Sequence, residues 1–129
     1  MAQAAKTIVL AEDDAVIARM YLTKLTRAGF RVIVCADGKQ AYDELKTSQP
    51  DFVMMDLNMP ELRGFEVIKA LMDEGMAPPA DRMIILTNSA NPADRKLASQ
   101  IGVDYIIKAE MTPRQIVNRI NAKLGLPSH

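Results

Sequence analysis

The chain has 129 residues, enough for one domain with a real core and too few for two ordinary ones. Lys plus Arg and Asp plus Glu stand at 16 each, so no net field draws the protein to nucleic acid or to an anionic membrane. A single cysteine excludes an internal disulfide, no apolar run nears the roughly 18 residues of a bilayer span, and residues 1–6 form no signal peptide, so a soluble cytoplasmic protein is expected.

Five short apolar, β-branched runs follow in chain order: Thr7–Ala11, Arg31–Cys35, Asp51–Met55, Met83–Thr87 and Val103–Ile107. Most are continuously apolar rather than alternating, which predicts strands covered on both faces, as in a parallel sheet. Segments with helical spacing lie between them. Ile17, Tyr21, Leu25 and Ala28 share one helix face; Ala41 and Leu45 begin a second. Phe65, Ile68 and Met72 mark a third face, and Ile116, Ile120 and Leu124 mark the last. The fourth helix, Pro92 to Gln100, has only a thin stripe of Ala93, Leu97 and Ile101, which makes it a candidate for movement.

Local punctuation agrees with these boundaries. Gly29 and Gly102 are placed to end helices in the left-handed conformation, and Asn91-Pro92 and Thr112-Pro113 each offer an N-cap followed by proline. Gln115, three residues after Thr112, completes a capping box. Cys35, inside an apolar run, reads as a buried and inert thiol. Five strand–helix alternations predict one α/β domain over residues 1–129, with right-handed crossovers and a core from about 7 to 124.

In such a sheet the C-terminal ends of all strands meet at one edge, where ligands bind. That edge receives Glu12, Asp13 and Asp14 after the first strand, Asp56 after the third, Thr87 from the fourth and Lys108 after the fifth. The lone histidine is His129, which rules out a Ser-His-Asp triad or a His-rich zinc site. The chemistry therefore falls to carboxylates, a hydroxyl and an amine. Crowded carboxylates repel, and a hard cation such as Mg²⁺ with oxygen ligands resolves the conflict. A carboxylate nucleophile can then accept a phosphoryl group, with Lys108 as a point charge and Thr87 as a donor to its oxygens.

These strand-end residues, together with the segment Asp56-Leu57-Asn58-Met59-Pro60 and Gly64 beyond it, resemble a response-regulator receiver domain over Thr7 to Leu124. The resemblance implies a flavodoxin-like doubly wound fold, (βα)5, with a five-stranded parallel sheet in the order 2-1-3-4-5. It implies that Asp56 is the phosphoryl acceptor and that Asp13 and Asp56 hold Mg²⁺ by side chains. Asn58 would add its backbone carbonyl, and Glu12 would act through a metal-bound water. Thr87 and Lys108 would contact the phosphoryl oxygens, and Tyr105 would turn inward as Thr87 is drawn to them. Asn58 and Ser89 match positions that tune the lifetime of the acyl phosphate, and Asn88 would modulate it by narrowing access to Asp56 or by adding a hydrogen bond.

The implied role is a signalling switch that assists its own phosphorylation rather than turning over a metabolite. A histidine kinase or histidine phosphotransfer protein would be the donor. The face of helix four, strand five and helix five would address a downstream protein effector, with the chain monomeric or dimerising on phosphorylation. Arg95, Lys96, Arg114 and Arg119 stand near that face as partner contacts or as a solvated rim. Met1 favours a stand-alone regulator over a receiver cut from a longer protein.

Two departures bear on the site: Ala109 stands where the family has proline after the lysine, leaving the Lys108–Ala109 bond open between trans and strained cis, and Asn88 is larger than usual. Three other readings compete. A degenerate receiver would bind constitutively. An aspartyl phosphohydrolase would need a second acid where Asn58 stands, and a flavin binder would need hydroxyls and amides in the acidic first loop.

Overall fold

The computed structural model describes residues 5–88 and 90–127. Its strands are β1 (Thr7–Ala11), β2 (Arg31–Cys35), β3 (Phe52–Met55), β4 (Met83–Thr87) and β5 (Asp104–Ile107). Its helices are α1 (Ala15–Arg27), α2 (Gly38–Thr47), α3 (Gly64–Asp73), α4 (Pro92–Ile101) and α5 (Pro113–Lys123), with 3₁₀ turns at Ala80–Arg82 and Lys108–Glu110. All strand pairs are parallel and the order is β2-β1-β3-β4-β5, as the resemblance implies.

The continuous apolar strands acquire their reason from burial on both faces. Along β1, Ile8 and Leu10 point into one core with Phe52, Met54, Ile84 and Leu86, closed by Tyr21 and Leu25 of α1 and Ile116 and Ile120 of α5. Val9 and Ala11 point into the other, closed by Ala41 and Leu45 of α2, Val67, Ile68 and Leu71 of α3, and Ala98 of α4. Successive strand residues thus serve opposite layers.

Two predicted strands lose their first residue. Asp51 precedes β3 and instead accepts a hydrogen bond from the Thr7 backbone N–H (2.7 Å). Val103 precedes β5 because Gly102, in the left-handed conformation (φ 90°), still closes α4. The third helix turns a different face inward than expected: Val67, Ile68 and Leu71 are buried, whereas Met72 is 51 % exposed. Phe65, Ile68 and Met72 do share a stripe, but the sheet lies under its neighbour. The fourth helix is held as thinly as its sequence suggests, burying only Ala98 while Leu97 remains exposed. Between α3 and α4 an apolar recess of about 420 Å³ opens, lined by Phe65, Met72, Leu97 and Ile101.

The caps at Asn91 and Thr112 form as read: Asn91 accepts from Ala93 N–H, and Thr112 and Gln115 close a reciprocal capping box. Asp14 caps α1, accepting from Val16 and Ile17 N–H (2.9 and 3.1 Å). No described helix is long and apolar enough to cross a membrane. His129 and Ser89 lie outside the described residues.

Cys35 is buried at the end of β2, and burial, aided by the nearby Glu44 and Asp37 charges, pushes its thiol up to about 11. Ellman's reagent at pH 8 should therefore leave the folded protein unlabelled and titrate one thiol in denaturant. Because the folded value lies above the ordinary one, this thiol's contribution to stability is intact below pH 9 and declines as pH rises towards 11.

Candidate phosphoacceptor and metal site

The strand ladders aim the acids. Past β1, the Glu12 N–H donates to the Cys35 carbonyl (3.0 Å), and past β3 the Asp56 N–H donates to the Ala11 carbonyl (3.0 Å). Each strand is thereby extended by one bond beyond its last residue, which fixes where the two carboxylates emerge. Asp14 turns away to cap α1, leaving Glu12, Asp13 and Asp56 as a cluster whose carboxylate oxygens lie within 4.8 Å of one another.

Close backbone approach shapes the loop after Asp56. The Gly64 N–H donates to the Leu57 carbonyl (3.0 Å), and a Cβ at Gly64 would sit 2.5 Å from the Asp56 carbonyl oxygen. Only glycine lets α3 start there without displacing the Asp56 backbone. The α2 start closes the loop from the other side: Gly38 N–H donates to the Pro60 carbonyl, and any Cβ on Gly38 would meet the Leu62 carbonyl. Glu61, between them, takes a left-handed φ of 71°. The Asn58 N–H reaches back to Asp56 Oδ1 (3.3 Å), so the Asn58 peptide borders the Asp56 carboxylate.

Glu12 is 3 % exposed and Asp56 8 %, so their charges stand largely out of water. Lys108 answers both, with Nζ at 2.5 Å from Glu12 Oε1 and 3.1 Å from Asp56 Oδ2. Burial raises the Glu12 carboxyl to about 7; the Lys108 hydrogen bond opposes that rise, and the hydrogen bond and charge of Asp56 add to it. For Lys108, burial alone works against the charged form, but the hydrogen bonds and charges of Glu12 and Asp56 outweigh it and raise its pKa. One cation thus faces three acids. The remaining negative charge and the all-oxygen donor set fit a hard divalent ion.

The other predicted residues lie on β4 and β5 and in the turns that follow them. Thr87 is fully buried at the end of β4, in register with Ile107, the residue before Lys108. Asn88 follows it, exposed. The Lys108–Ala109 bond is trans and opens a 3₁₀ turn. Tyr105 is half-buried on β5, with the Arg95 guanidinium of α4 5.1 Å from its ring centroid, a cation–π distance.

Two contacts escaped the sequence reading, the Glu12–Lys108 ion pair and the Arg95–Tyr105 stack. The first joins residues 96 positions apart across two intervening strands, and no spacing rule foretells it. Replacing Lys108 with Met strands the carboxylates, so urea unfolding at pH 8 without metal should show a loss of about 2 kcal/mol.

Comparison with known proteins places the fold in a family. The response regulator receiver domain model matches residues 8–121. Response regulator GtcR of Aneurinibacillus migulanus is 34 % identical over 119 residues, covering 92 % of this chain and 48 % of that protein. DNA-binding response regulator MtrA of Mycobacterium tuberculosis is 31 % identical over 117 residues, covering 91 % of this chain and 50 % of its own length. The chain therefore spans about half the length of these curated relatives.

Among solved structures, the receiver domain of Francisella response regulator 1452 superposes with a TM-score of 0.82 at 26 % identity, covering 93 % of this chain and 97 % of that one. The receiver domain of the sensor histidine kinase PA1611 of Pseudomonas aeruginosa, with magnesium coordinated in its active-site cleft, gives 0.80 at 28 % identity, covering 95 % of this chain and 99 % of that one. With its fold and nearly its whole length matched, the chain belongs to the response regulator receiver domain family.

Proposed function

We propose that this receiver domain is a phosphorylation-controlled switch in which Asp56 accepts a phosphoryl group from a phosphohistidine of a histidine kinase or phosphotransfer protein. The carrying observation is Asp56 itself: a buried carboxylate at a strand end, with Lys108 Nζ 3.1 Å away and two further acids beside it. Free carboxylates seek water; one kept here has been positioned.

In the step, an Asp56 carboxylate oxygen attacks phosphorus. The new P–O bond forms as the P–N bond breaks, and the electron pair leaves with the imidazole nitrogen, which takes up a proton. Lys108 turns from the carboxylates to the phosphoryl oxygens, and the Thr87 hydroxyl donates to another. Asp13 and Asp56, the Asn58 carbonyl and, through water, Glu12 would hold Mg²⁺, which would supply positive charge against the incoming phosphoryl oxygens. Asn58, beside Asp56, and Asn88, exposed after Thr87, modulate access of water to the acyl phosphate, and Ser89 is assigned the same modulatory role from the resemblance alone. The domain thus assists its own phosphorylation and dephosphorylation, as a signalling switch rather than a metabolic enzyme.

Drawing Thr87 to the phosphoryl group vacates space towards which Tyr105 turns, and that motion breaks its stack with Arg95. Helix α4, anchored by Ala98 alone among its buried residues, follows. The face of α4, β5 and α5 then addresses a protein effector, as a cytoplasmic monomer or a phosphorylation-dependent dimer. That surface, rather than direct nucleic-acid contact or membrane insertion, carries the signal.

Acetyl phosphate with Mg²⁺ should add one phosphoryl mass to the protein in intact mass spectrometry. The adduct should be absent in Asp56→Asn and at least about tenfold reduced in Lys108→Ala. An adduct surviving Asp56→Asn would reject the assignment, and a folded wild type that never forms one would favour a constitutive binding module. In thermal melts, Mg²⁺ at ten times its dissociation constant should stabilise the wild type by about 1.4 kcal/mol, and Asp13→Asn should abolish most of that gain.

A further inference from the structure

The charge of this chain is balanced in number but not in space. Helices α1 and α5, side by side on one sheet face, carry Arg19, Lys24, Arg27, Arg114, Arg119 and Lys123, and neither contains an Asp or Glu. At roughly 100° per residue the α5 cations divide between two flanks. Arg119 and Lys123 face β5, where both meet the Asp104 carboxylate, Arg119 Nη2 at 2.8 Å and Lys123 Nζ at 3.7 Å. Arg114, Val117 and Asn118 share the other flank. With Lys24 and Arg27 of α1 and Ala28 just past its end they line a recess of about 280 Å³.

Two features separate this recess from an ordinary solvated rim. Among the described residues, neither Lys24 nor Arg27 has a carboxylate within 4.0 Å. Those two occupy the last turn of α1, where the helix dipole welcomes them, but Arg114 occupies the first turn of α5, where it disfavours a cation. Three converging cations, one set against its own helix, surround an apolar floor made by Ala28 and the buried Val117.

We propose that the α1–α5 recess docks an acidic segment of a partner protein, its carboxylates against Lys24, Arg27 and Arg114 and one apolar side chain against Ala28 and Val117. Arginine forks match carboxylates in pairs, and the floor takes a side chain that a phosphate backbone does not offer. Tyr21 is the sole aromatic residue on the two helices and is buried, so no ring is available for the base stacking that single-stranded nucleic acid requires. The site lies on the flank of α5 opposite Arg119 and does not depend on phosphorylation of Asp56.

The test is fluorescence anisotropy with a dye-labelled helical peptide presenting glutamates around one leucine. Binding should saturate, weaken about tenfold in Lys24→Glu/Arg27→Glu, and weaken again as salt screens the pairs. Lys24→Gln/Arg27→Gln should weaken it less, about threefold, while Lys39→Glu/Lys69→Glu on the opposite layer should stay within about twofold of wild type. Changing the peptide leucine to serine should cost about threefold if the floor takes part. The proposal fails if binding does not saturate or if the two Glu pairs weaken it equally. It also fails if duplex DNA or phosphatidylserine vesicles displace the peptide at lower charge concentration. Because the readout needs no phosphoryl donor, its failure would leave the role of Asp56 standing.

Discussion

Three carboxylates within 4.8 Å of one another, two of them nearly out of water, are the condition that the rest of the molecule accommodates. Left alone such a cluster would repel itself apart or take up protons. Here Lys108 reaches it from beyond β5, across β4 and β3, and bonds to both buried acids. That reach is feasible because the sheet is parallel and all strands end at one edge. The flexible four-carbon stem of lysine crosses the distance with its charge intact.

This cluster costs folding energy, and the strands beneath it offset that cost. Ile8, Val9, Phe52, Val53, Met54, Ile84 and Ile85 are fully buried, serving two cores at once. Each such side chain contributes about 1.5–3 kcal/mol of burial, so a few of them outweigh a frustrated site. A rigid double-faced sheet also holds the acids where no loop could: β1 and β3 are adjacent, so Glu12 and Asp56 emerge side by side by register alone.

Most of the fold was readable because its signals are local. Three strands appear with the bounds their apolar runs predict, and the caps at Asn91 and Thr112 form as written. Where reading failed, tertiary contact decided. Met72 shares a stripe with Ile68, yet the sheet selects Val67 and Leu71 instead. Asp51 looked like the first residue of a strand but serves as an acceptor for Thr7. The strand order itself came from resemblance, since alternation fixes parallel pairing and handedness but not which strand sits central. Glu12, Asp13, Asp56 and Lys108 were legible as residues gathered at one edge. That Lys108 binds Glu12, and that Arg95 covers Tyr105, depends on side-chain reach, which sequence spacing does not encode.

The two helical layers are held with different firmness, and that asymmetry bears on signalling. On one face α1 and α5 bury Tyr21, Leu25, Ile116 and Ile120 against the sheet. On the other, α2 and α3 are tied together by the Tyr42 hydroxyl, midway along α2, donating to Glu74 at the end of α3, while α4 contributes Ala98 and stands beside an apolar recess. An element that buries little loses little by moving. In the proposed switch the Arg95–Tyr105 stack, worth only about 0.5–1 kcal/mol at such exposure, would serve as a latch that a few charge-assisted hydrogen bonds at the strand ends could release. A tighter core under α4 would stabilise the domain and leave it less able to report on its site.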